Sequence, residues 1–504
     1  MSVVLACDLG STSFRAAVID ARGECLHLVF KAQLSGVDRS GASEVDPSQW
    51  WEVLGQATDE LARDAEASFN AVEAIAISGV TRSQVFLGAD NRVLRPAITW
   101  RDSRAERCMG RIRSTLPPDH PETPQVNAFH PAARLGWLRL EEPMTARALA
   151  AVIEPKDYLN LRLTGECRID RVGSARLVAS ATGTPGASVL EALGYSPGLA
   201  ASPLEPTAVC GHVQAGLPGA LGRLAGRPVL AMGTDSWASC IGLGALREGY
   251  AYNLSGTTEV LGLISAAPAR AEGLLTVDWG LGLHQIGGPS QSGADTLVWL
   301  LRMLGHDEGD PRAVGPALDA LLAQPREKRP LLFLPYLQGE RTPHWDEALR
   351  GAFVGLHRNH GTADCAHAAL EGVAFLNRLV LHRAEDAVGR PAKEIRFGGG
   401  GAASPVWCQV KSDICERSLA VVEGGEPGLV GAAIVAFAAL GHFRDIAAGQ
   451  EALVRVRGHF TPRPAFREYY RQLYDLYREA DEALAPISRR LSAFPCEPAT
   501  GEKD

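Results

Sequence analysis

The sequence predicts a two-domain α/β protein, and three observations lead to that prediction. Apolar runs of strand length alternate with longer stretches of helical periodicity, as in Ala74–Ser78 and Trp50–Ala65. The chain has 504 residues, which is more than one hydrophobic core usually organises. A strand followed by glycine, serine and threonine occurs near residue 10 and again near residue 256, and another strand follows each time. This repeat indicates two domains of one design that face each other across a cleft, joined around Arg247.

Composition and charge exclude several classes of protein. Apolar residues make up 46% of the chain and charged residues 21%, as in soluble globular proteins. A net charge of −8 gives no basic footprint for nucleic acid, and no apolar run is long enough to span a membrane. The chain enters a predicted strand at once, without the pattern of a signal peptide, and its cysteines are scattered without a CxxC pair. We therefore expect a cytoplasmic protein with reduced thiols that contacts neither nucleic acid nor membrane.

The first strand, Val3–Cys7, and the second, Ala16–Ile19, are separated by a turn of glycine and small hydroxylated residues. Such a turn can direct backbone N–H groups and hydroxyls at one point, which suits a phosphate. Asp8 ends the first strand, where its carboxylate could hold a metal ion that neutralises the phosphates. An ordinary hairpin with a capping aspartate explains the same residues.

Asp235 is the candidate for a general base. It follows the predicted strand Pro228–Met232 and precedes the predicted small-residue helix Ala238–Leu246. A carboxylate at the end of a strand can accept the proton of an attacking hydroxyl. The position suits a helix N-cap equally well.

Other polar clusters follow predicted strands. A P-loop requires a lysine directly after a glycine, and no lysine of this chain follows a glycine, so the chain has no P-loop.

The glycine-rich run Gly398–Gly401 has two readings. It lets the backbone approach a flat ligand closely, or it is a plain loop before a helix that Ser404 caps. Arg82 and the segment Trp100–Arg104 could hydrogen-bond a polyhydroxy substrate, although charges in loops are more often solvated.

Two further features carry less information about function. One is a cluster close together in sequence, formed by His357, His360, Cys365 and His367. The spacing of this cluster matches no zinc pattern well, and its role stays open.

The other is the run Glu468–Ala485, which is predicted to be helical. Its aromatic and leucine stripe is expected to pack on a domain rather than to bind a ligand, and it comprises Tyr469, Tyr470, Leu473, Tyr474, Leu476 and Tyr477. The segment from about Phe494 onward is expected to fray.

The chain resembles the FGGY family of carbohydrate kinases over nearly its whole length, and many short motifs match in the same order. Those in the first half are Asp8-x-Gly10-Ser11-Thr12-x-x-Arg15, Glu44-Val45-Asp46-Pro47-x-x-Trp50-Trp51, Trp100-x-Asp102-x-Arg104, Pro155-Lys156-Asp157-Tyr158-Leu159 and Leu163-Thr164-Gly165. Those in the second half are Gly256-Thr257-Thr258, Pro335-Tyr336-Leu337-x-Gly339-Glu340-Arg341-x-Pro343, Arg350-Gly351-Ala352-Phe353-x-Gly355-Leu356, and Gly398–Gly401 with Ser404, Trp407, Gln409 and Asp413.

The resemblance implies two domains of the actin and sugar-kinase superfamily, each with a ribonuclease H-like core, and ATP-dependent phosphorylation of a sugar or polyol with Mg²⁺. It implies that Asp235 is the catalytic base and that Asp8 acts on Mg²⁺ through water. The residues implied to contact ATP are Thr12, Ser13, Arg15, Gly256, Thr257, Thr258, Gly400, Gly401 and Ser404. The residues implied to lie on the sugar side are Arg82, Trp100 and Asp102, with Asp235.

The resemblance gives less information about the substrate than about the fold and the reaction. The length and compact insertions are most similar to the branch of the family that acts on D-xylulose. That branch usually carries Gln-Met-His where this chain has Val80-Thr81-Arg82, and Asn where this chain has Ser236. The glycerol branch carries Gln-Arg-Glu, and here Ser83 replaces the acid. We expect a pentulose, D-xylulose first; a sugar acid is second, because a buried arginine can hold a carboxylate bidentately.

The expected domains are residues 1–246, carrying the sugar side, the first phosphate loop and the base, and residues 247–485, carrying the nucleotide side, with a tail at 486–504. A homodimer is compatible with the resemblance. A non-catalytic ATP-binding protein of the same superfamily is the alternative class, and the presence of Asp235 argues against it.

Overall fold

The computed structural model describes residues 2–33, 41–183, 186, 188–200, 203–305, 314–424 and 426–494. The chain divides into two compact units. The first unit comprises Met1–Gly244, Asp278–Leu281 and Glu426–Val454, and the second comprises Ala245–Val277, Gly282–Gly425 and Arg455–Asp504. Within the described ranges, no helix is long and apolar enough to cross a lipid bilayer. Residues 495–504, most of the expected tail, lie outside the described part of the chain.

The strands are short and most are buried. In chain order they are β1 Val3–Leu9, β2 Ser13–Asp20, β3 Cys25–Ala32, β4 Glu44–Val45, β5 Val72–Gly79, β6 Val85–Leu87, β7 Ala97–Ile98, β8 Ala151–Ile153, β9 Ile169–Asp170, β10 Pro203–Leu204, β11 Val209–His212, β12 Pro228–Leu230, β13 Tyr250–Ser255, β14 Glu259–Ser265, β15 Leu275–Asp278, β16 His284–Ser290, β17 Leu332–Leu334, β18 Ala352–Val354, β19 Glu394–Gly399, β20 Leu419–Val422 and β21 Val456–Phe460.

The helices lie between these strands. In chain order they are α1 Pro47–Asp64, α2 Glu66–Asn70, α3 Met109–Arg113, α4 Pro131–Glu141, α5 Pro143–Ala148, α6 Pro155–Thr164, α7 Ala175–Ala181, α8 Val189–Ala192, α9 Asp235–Gly242, α10 Ala294–Met303, α11 Val314–Leu322, α12 Thr362–Val388, α13 Pro405–Cys415, α14 Pro427–Ala439, α15 Ile446–Leu453 and α16 Pro464–Ser492.

The main sheet of the first unit has the strand order β11-β12-β5-β1-β2-β3. β1, β2 and β3 pair antiparallel, whereas β5 runs parallel to β1, and β12 runs parallel to β5. Every residue of β1 is buried, because the strand lies inside the sheet with elements packed on both faces. The ends of β1, β5 and β12 therefore lie side by side along one edge of the sheet.

The main sheet of the second unit repeats this arrangement. Its order is β15-β16-β14-β13-β19-β20-β21. β13, β14 and β16 pair antiparallel, whereas β19 runs parallel to β13, and β20 runs parallel to β19. The repeat of strand, turn and strand predicted near residues 10 and 256 thus corresponds to the β1–β2 and β13–β14 hairpins of two similar sheets.

Helix starts follow the local sequence. Asp46 caps α1 by accepting a hydrogen bond from the Ser48 backbone, with Pro47 at the first helical position. Thr234 caps α9 in the same way, so the helix begins at Asp235 rather than at the predicted Ala238. The start of α9 is set by the hydrogen bond of its cap, and the periodicity of apolar residues contains no information about that bond.

Helix α16 differs from the prediction at its end and on its surface. It continues to Ser492, past the predicted end at Ala485 and through Pro486. Tyr470, Leu473, Tyr474 and Tyr477 are buried in the core of the second unit, as predicted for the stripe. Tyr469 and Leu476 are exposed, because they lie on the adjacent side of the helix, so the prediction is wrong for these two residues.

Candidate active site

Asp8 lies near the end of β1 and is almost fully buried. Its register partners are Arg15 on β2 and Ser78 on β5. Arg15 donates to one carboxylate oxygen of Asp8 at 3.2 Å, and the Ser78 hydroxyl donates to the other at 3.2 Å. Arg15 also forms an ion pair of 3.0 Å with Glu426, just before α14. The observed partners of Arg15, predicted to bind ATP, are therefore two carboxylates of its own unit.

Asp235 is the first residue of α9 and is half-buried. Its carboxylate accepts a hydrogen bond of 2.6 Å from the Ser236 backbone. Thr234, which precedes it, forms a parallel bridge with Gly79 at the end of β5, next to Ser78. Asp235 and Asp8 thus lie at the same edge of one sheet.

The two carboxylates influence each other. Burial and, second to it, the negative charge of Asp8 together raise the pKa of Asp235 to about 7, although the hydrogen bonds from Ser236 lower it. Burial also raises the pKa of Asp8, and Arg15 and Ser78 oppose this change. Since a general base works best when its pKa is near the working pH, Asp235 is suited to accept a proton.

A buried ion cluster supports the segment that carries Asp235. Lys156 on α6 forms ion pairs with Asp157 at 2.5 Å and with Asp170 at 2.7 Å. It also donates to the carbonyl oxygen of Ala231 at 3.0 Å, and Asn160 donates to that of Leu230 at 3.1 Å. The motif containing Lys156 and Asp157 was noticed in the sequence, but this supporting role was not predicted.

Arg82 is held in an unusual backbone conformation. Its φ of 60° is in the left-handed region, which non-glycine residues seldom adopt. Glu154 accepts from the backbone N–H groups of Arg82 and Ser83, each at 3.2 Å, and Arg134 donates to the carbonyl oxygen of Arg82. Burial, followed by the positive charge of Arg176, lowers the pKa of Arg82 to about 10. Strain held by several neighbours is typical of functional positions.

The other residues predicted on the sugar side have different surroundings. Trp100 donates from its indole N–H to Ser11 in the β1–β2 turn at 2.7 Å, so it fixes that turn. Asp102 is fully buried and accepts from the Ser43 backbone at 2.7 Å and from Arg104 at 2.6 Å. The observed contacts of Asp102 are therefore structural, and its predicted contact with sugar stays a prediction.

The β1–β2 turn itself is tight. The backbone N–H of Gly10 donates to the carbonyl oxygen of Ser13 at 2.9 Å. Thr12 is exposed at the tip of the turn, whereas Ser13 is buried at the start of β2. Of the two residues predicted to contact phosphate, Thr12 is thus the accessible one.

The β13–β14 turn of the second unit resembles the first turn. The backbone N–H of Gly256 donates to the carbonyl oxygen of Thr258 at 2.9 Å. Gly256 and Thr257 are exposed, and their carbonyl oxygens accept from the first residues of α10, Ala294 at 3.0 Å and Asp295 at 3.2 Å. The start of α10 therefore fixes the backbone of this turn, while Gly256 and Thr257 stay accessible to solvent.

A buried ion pair follows this turn. Lys411 on α13 donates to both carboxylate oxygens of Glu259, at 2.8 and 2.7 Å, and to Asn253 at 2.9 Å. Asn377 on α12 also accepts from Lys411. The sequence analysis missed this pair. The signal available in the sequence was Lys411, the one lysine of α13.

The glycine-rich run ends β19. Gly399 has a φ of 88°, and a Cβ on Gly401 would lie 2.4 Å from the Ser255 hydroxyl, so Gly401 allows this close approach. A Cβ on Gly400 would meet nothing within 4 Å. Ser404 accepts from the Trp407 backbone at 3.3 Å and caps α13, which confirms the predicted cap.

The histidine and cysteine cluster has contacts within the protein. Its members His357 and His360 contact Arg329, and His360 lies 3.1 Å from the Arg329 carbonyl oxygen. Burial lowers the pKa of His367 to about 4. Among the residues that the structure describes, no group of three or more His, Cys, Asp or Glu side chains is placed to hold a metal ion.

Comparison with known proteins gives relatives that match nearly the whole chain. A xylulose kinase of Escherichia coli is 31% identical over 84% of this chain and 86% of its own length. A gluconokinase of Bacillus licheniformis is 26% identical, over 96% of each chain. The crystal structure of a xylulose kinase from Rhodospirillum rubrum has a TM-score of 0.84 and 26% identity, covering 97% of this chain and 100% of that one. These likenesses confirm the predicted two-domain α/β fold of the sugar kinases.

Two family models match the chain in sequence. The N-terminal domain of the FGGY family of carbohydrate kinases matches residues 3–242, and its C-terminal domain matches residues 251–440. The resemblance noticed in the motifs is thus confirmed: the chain belongs to the FGGY family of carbohydrate kinases.

Proposed function

We propose that this carbohydrate kinase transfers the γ-phosphoryl group of ATP to a hydroxyl of a pentulose, with D-xylulose as the first choice and D-xylulose 5-phosphate as its product. The observation that carries the proposal is Asp235, a half-buried carboxylate at the start of α9 whose pKa is about 7. A xylulose kinase at 31% identity supports the choice of sugar.

In this proposal Asp235 accepts the proton of the sugar hydroxyl at a carboxylate oxygen as that hydroxyl attacks the phosphorus. The Ser236 backbone N–H holds the Asp235 carboxylate, and the cap at Thr234 fixes the start of α9. Because the Asp235 side chain is already held in place, it loses little rotational freedom on reaching the transition state, and this lowers the entropic part of the barrier.

The residues present also fit the ion and the nucleotide that kinases of this family use. Mg²⁺ prefers carboxylate oxygens, commonly from one or two side chains together with water and phosphate oxygens, and it neutralises phosphate charge when bound. Asp8 provides such a carboxylate and is held in place by Arg15 and Ser78. We therefore propose that Asp8 holds Mg²⁺ through water.

We propose the contacts with ATP residue by residue. The exposed turn residues Thr12 and Thr257 can offer hydroxyls to phosphates, and Gly256, which has no side chain, lets a phosphate approach the second turn closely. The open space around Gly400 suits the close approach of a nucleotide. Ser13, Arg15, Thr258, Gly401 and Ser404 complete the proposed set. The carbonyl oxygens of Ser13 and Thr258 accept hydrogen bonds within their turns, Arg15 contacts Asp8, and Ser404 caps α13.

A sugar acid is the second candidate substrate, and Arg82 is the observation that favours it. This position carries a strained, largely buried cation, and Arg176 adds a second positive charge nearby. A guanidinium can bind a carboxylate through two hydrogen bonds. A gluconokinase is among the relatives, at 26% identity.

A coupled assay of ADP formation over D-xylulose, other pentuloses, polyols and gluconate tests the proposal. We expect the highest kcat/KM with D-xylulose, and Arg82→Ala to raise the sugar KM by a factor that corresponds to about 1–2 kcal/mol, with the ATP KM unchanged. If gluconate is preferred and Arg82→Lys rescues little, the sugar acid is the substrate instead. ATP turnover that no sugar stimulates would contradict both.

A further inference from the structure

Glu122 is a buried carboxylate in the segment between α3 and α4 of the first unit. Its oxygen Oε1 lies 2.9 Å from Nε2 of His130 and forms an ion pair of 2.9 Å with Arg176. His130 caps the start of α4, and Arg176 belongs to α7. Because groups from two different elements hold it, the negative charge of Glu122 has a fixed position.

The hydrogen bonds determine the protonation of this cluster. Nδ1 of His130 accepts from the Ala132 backbone N–H at 3.1 Å, so the ring proton is on Nε2, which donates to Glu122. Burial lowers the pKa of His130, which keeps the ring neutral. Burial alone would raise the pKa of Glu122, but the hydrogen bond from His130 and the charge of Arg176 lower it. Glu122 is therefore ionised, and Arg176 is its charged partner.

Arg82 belongs to the same cluster. Helix α4 carries Arg134, which donates to the carbonyl oxygen of Arg82. Burial and then the charge of Arg176 lower the pKa of Arg82 to about 10, whereas nearby carboxylates, Glu122 among them, raise it. The Arg82 guanidinium is thus close enough to feel both a like charge and the charge of Glu122.

The cluster borders the proposed sugar side of the active site. Arg82 follows β5, and the last residue of that strand, Gly79, forms a bridge with Thr234. Thr234 directly precedes the proposed base, Asp235. A substrate that reaches both the base and Arg82 is therefore bound next to these charges.

Two other carboxylates of this region have different partners. Asp102 accepts from Arg104 at 2.6 Å. Glu154 accepts from the backbone N–H of Arg82 at 3.2 Å and so holds the main chain of that residue. Glu122 is the carboxylate that pairs with the second guanidinium of the sugar side, and its charge offsets that cation.

We propose that Glu122 determines the choice between a neutral sugar and a sugar acid, because it supplies to Arg82 and Arg176 the negative charge that a substrate carboxylate would otherwise supply. This inference rests on the proposed function, in which Arg82 contacts the sugar. A neutral pentulose accepts hydrogen bonds from Arg82 without adding charge, whereas Glu122 repels the carboxylate of a sugar acid. Specificity then depends on a repulsive group as well as on attractive contacts.

Glu122→Gln tests the proposal, since it removes the charge and keeps an acceptor oxygen for His130 and Arg176. The enzyme is given ATP with equal concentrations of D-xylulose and gluconate, and mass spectrometry quantifies the two phosphorylated products. The initial product ratio equals the ratio of the two kcat/KM values, so it does not depend on how much of the enzyme is folded. We expect Glu122→Gln to shift this ratio toward gluconate by at least about tenfold, because one unit charge in a partly buried site changes anion binding by at least that factor.

Three further variants separate charge from structural damage. Arg176→Gln removes a cation and should shift the ratio the other way, toward D-xylulose. The double variant Glu122→Gln with Arg176→Gln removes one charge of each sign and should reverse most of the shift of Glu122→Gln. Glu141→Gln removes an exposed carboxylate at the opposite end of α4, about 16 Å along the helix from its start, and should leave the ratio unchanged.

An unchanged product ratio in Glu122→Gln overturns the proposal, and so does a wild type that prefers gluconate. A double variant shifted as far as Glu122→Gln alone would show that charge is not the cause, with the same consequence. If Glu122→Gln does not fold, an unchanged ratio in Arg176→Gln overturns the proposal instead. A wild type that phosphorylates neither compound contradicts the proposed function itself, and this inference with it.

Discussion

Lys156 donates a hydrogen bond of 3.0 Å to the carbonyl oxygen of Ala231, in the segment that leads from β12 to Asp235. The ammonium group is fully buried, and the carboxylates of Asp157 and Asp170 raise its pKa although burial alone would lower it. The charge on Lys156 therefore persists at any working pH, and it ties α6 to the backbone that carries the proposed base.

Replacing Lys156 by methionine should destabilise the first unit. Lys156→Met leaves the carboxylates of Asp157 and Asp170 buried without their cation, and loss of one partner of a buried pair costs about 3–5 kcal/mol. Urea unfolding followed by circular dichroism measures the change in midpoint. Lys328→Met, which alters an exposed lysine, is the matched control. Equal midpoints for the two variants would show that the cluster does not support this unit.

The rate should depend on pH through Asp235. The base works when it is deprotonated, so kcat/KM for the sugar should fall as the pH decreases below about 7. Because the Asp8 charge raises the pKa of Asp235, residual activity in Asp8→Asn should show this limb at lower pH. Since the Ser236 hydroxyl lowers that pKa, Ser236→Ala should move the limb to higher pH. Profiles of the three proteins with identical limbs would exclude Asp235 as the titrating group.

Two adjacent glycines should separate stability from nucleotide binding. Gly401→Ala places a Cβ against Ser255, and overpacking of this kind costs about 1–3 kcal/mol. Gly400→Ala meets no protein atom within 4 Å, so its stability should match that of the wild type. If Gly400 lines the nucleotide, its alanine variant should raise the ATP KM about tenfold, which corresponds to about 1.4 kcal/mol. Unchanged ATP KM in Gly400→Ala would remove this residue from the nucleotide site.

The Lys411–Glu259 pair should behave as one unit. Glu259→Gln leaves Lys411 buried without its counter-charge and should lower stability by about 3–5 kcal/mol. The double variant Glu259→Gln with Lys411→Met should recover part of this loss, because no charge then remains buried. Thermal unfolding of the two single variants and the double variant measures the coupling. Strictly additive effects would mean that the two side chains act independently.

The sequence predicted the fold because the signals of each element were local. The run Val3–Cys7 and the repeat of turn residues near positions 10 and 256 depend only on neighbouring residues, and the structure places them in two similar sheets. Ser404 was placed correctly as a cap since a serine followed by proline is a local pattern.

Long-range partners were not predictable in the same way. Lys156 and Asp170 meet only because α6 and β9 fold together, and Lys411 meets Glu259 across a large part of the chain. Asp102 illustrates the reverse difficulty. Its motif suggested a ligand contact, whereas the structure shows its carboxylate occupied by Arg104 and the Ser43 backbone. A single sequence does not show which charged side chains will be buried together as pairs in the folded protein.

Turnover of D-xylulose by Asp235→Asn tests the proposed base most directly. The substitution keeps the size of the side chain and removes its ability to accept the proton. We expect kcat to fall by about 10²–10⁴, the usual contribution of a positioned general base, while ATP binding measured by calorimetry stays nearly unchanged. A kcat within about tenfold of the wild type, well short of that contribution, would contradict the assignment of Asp235 as the base.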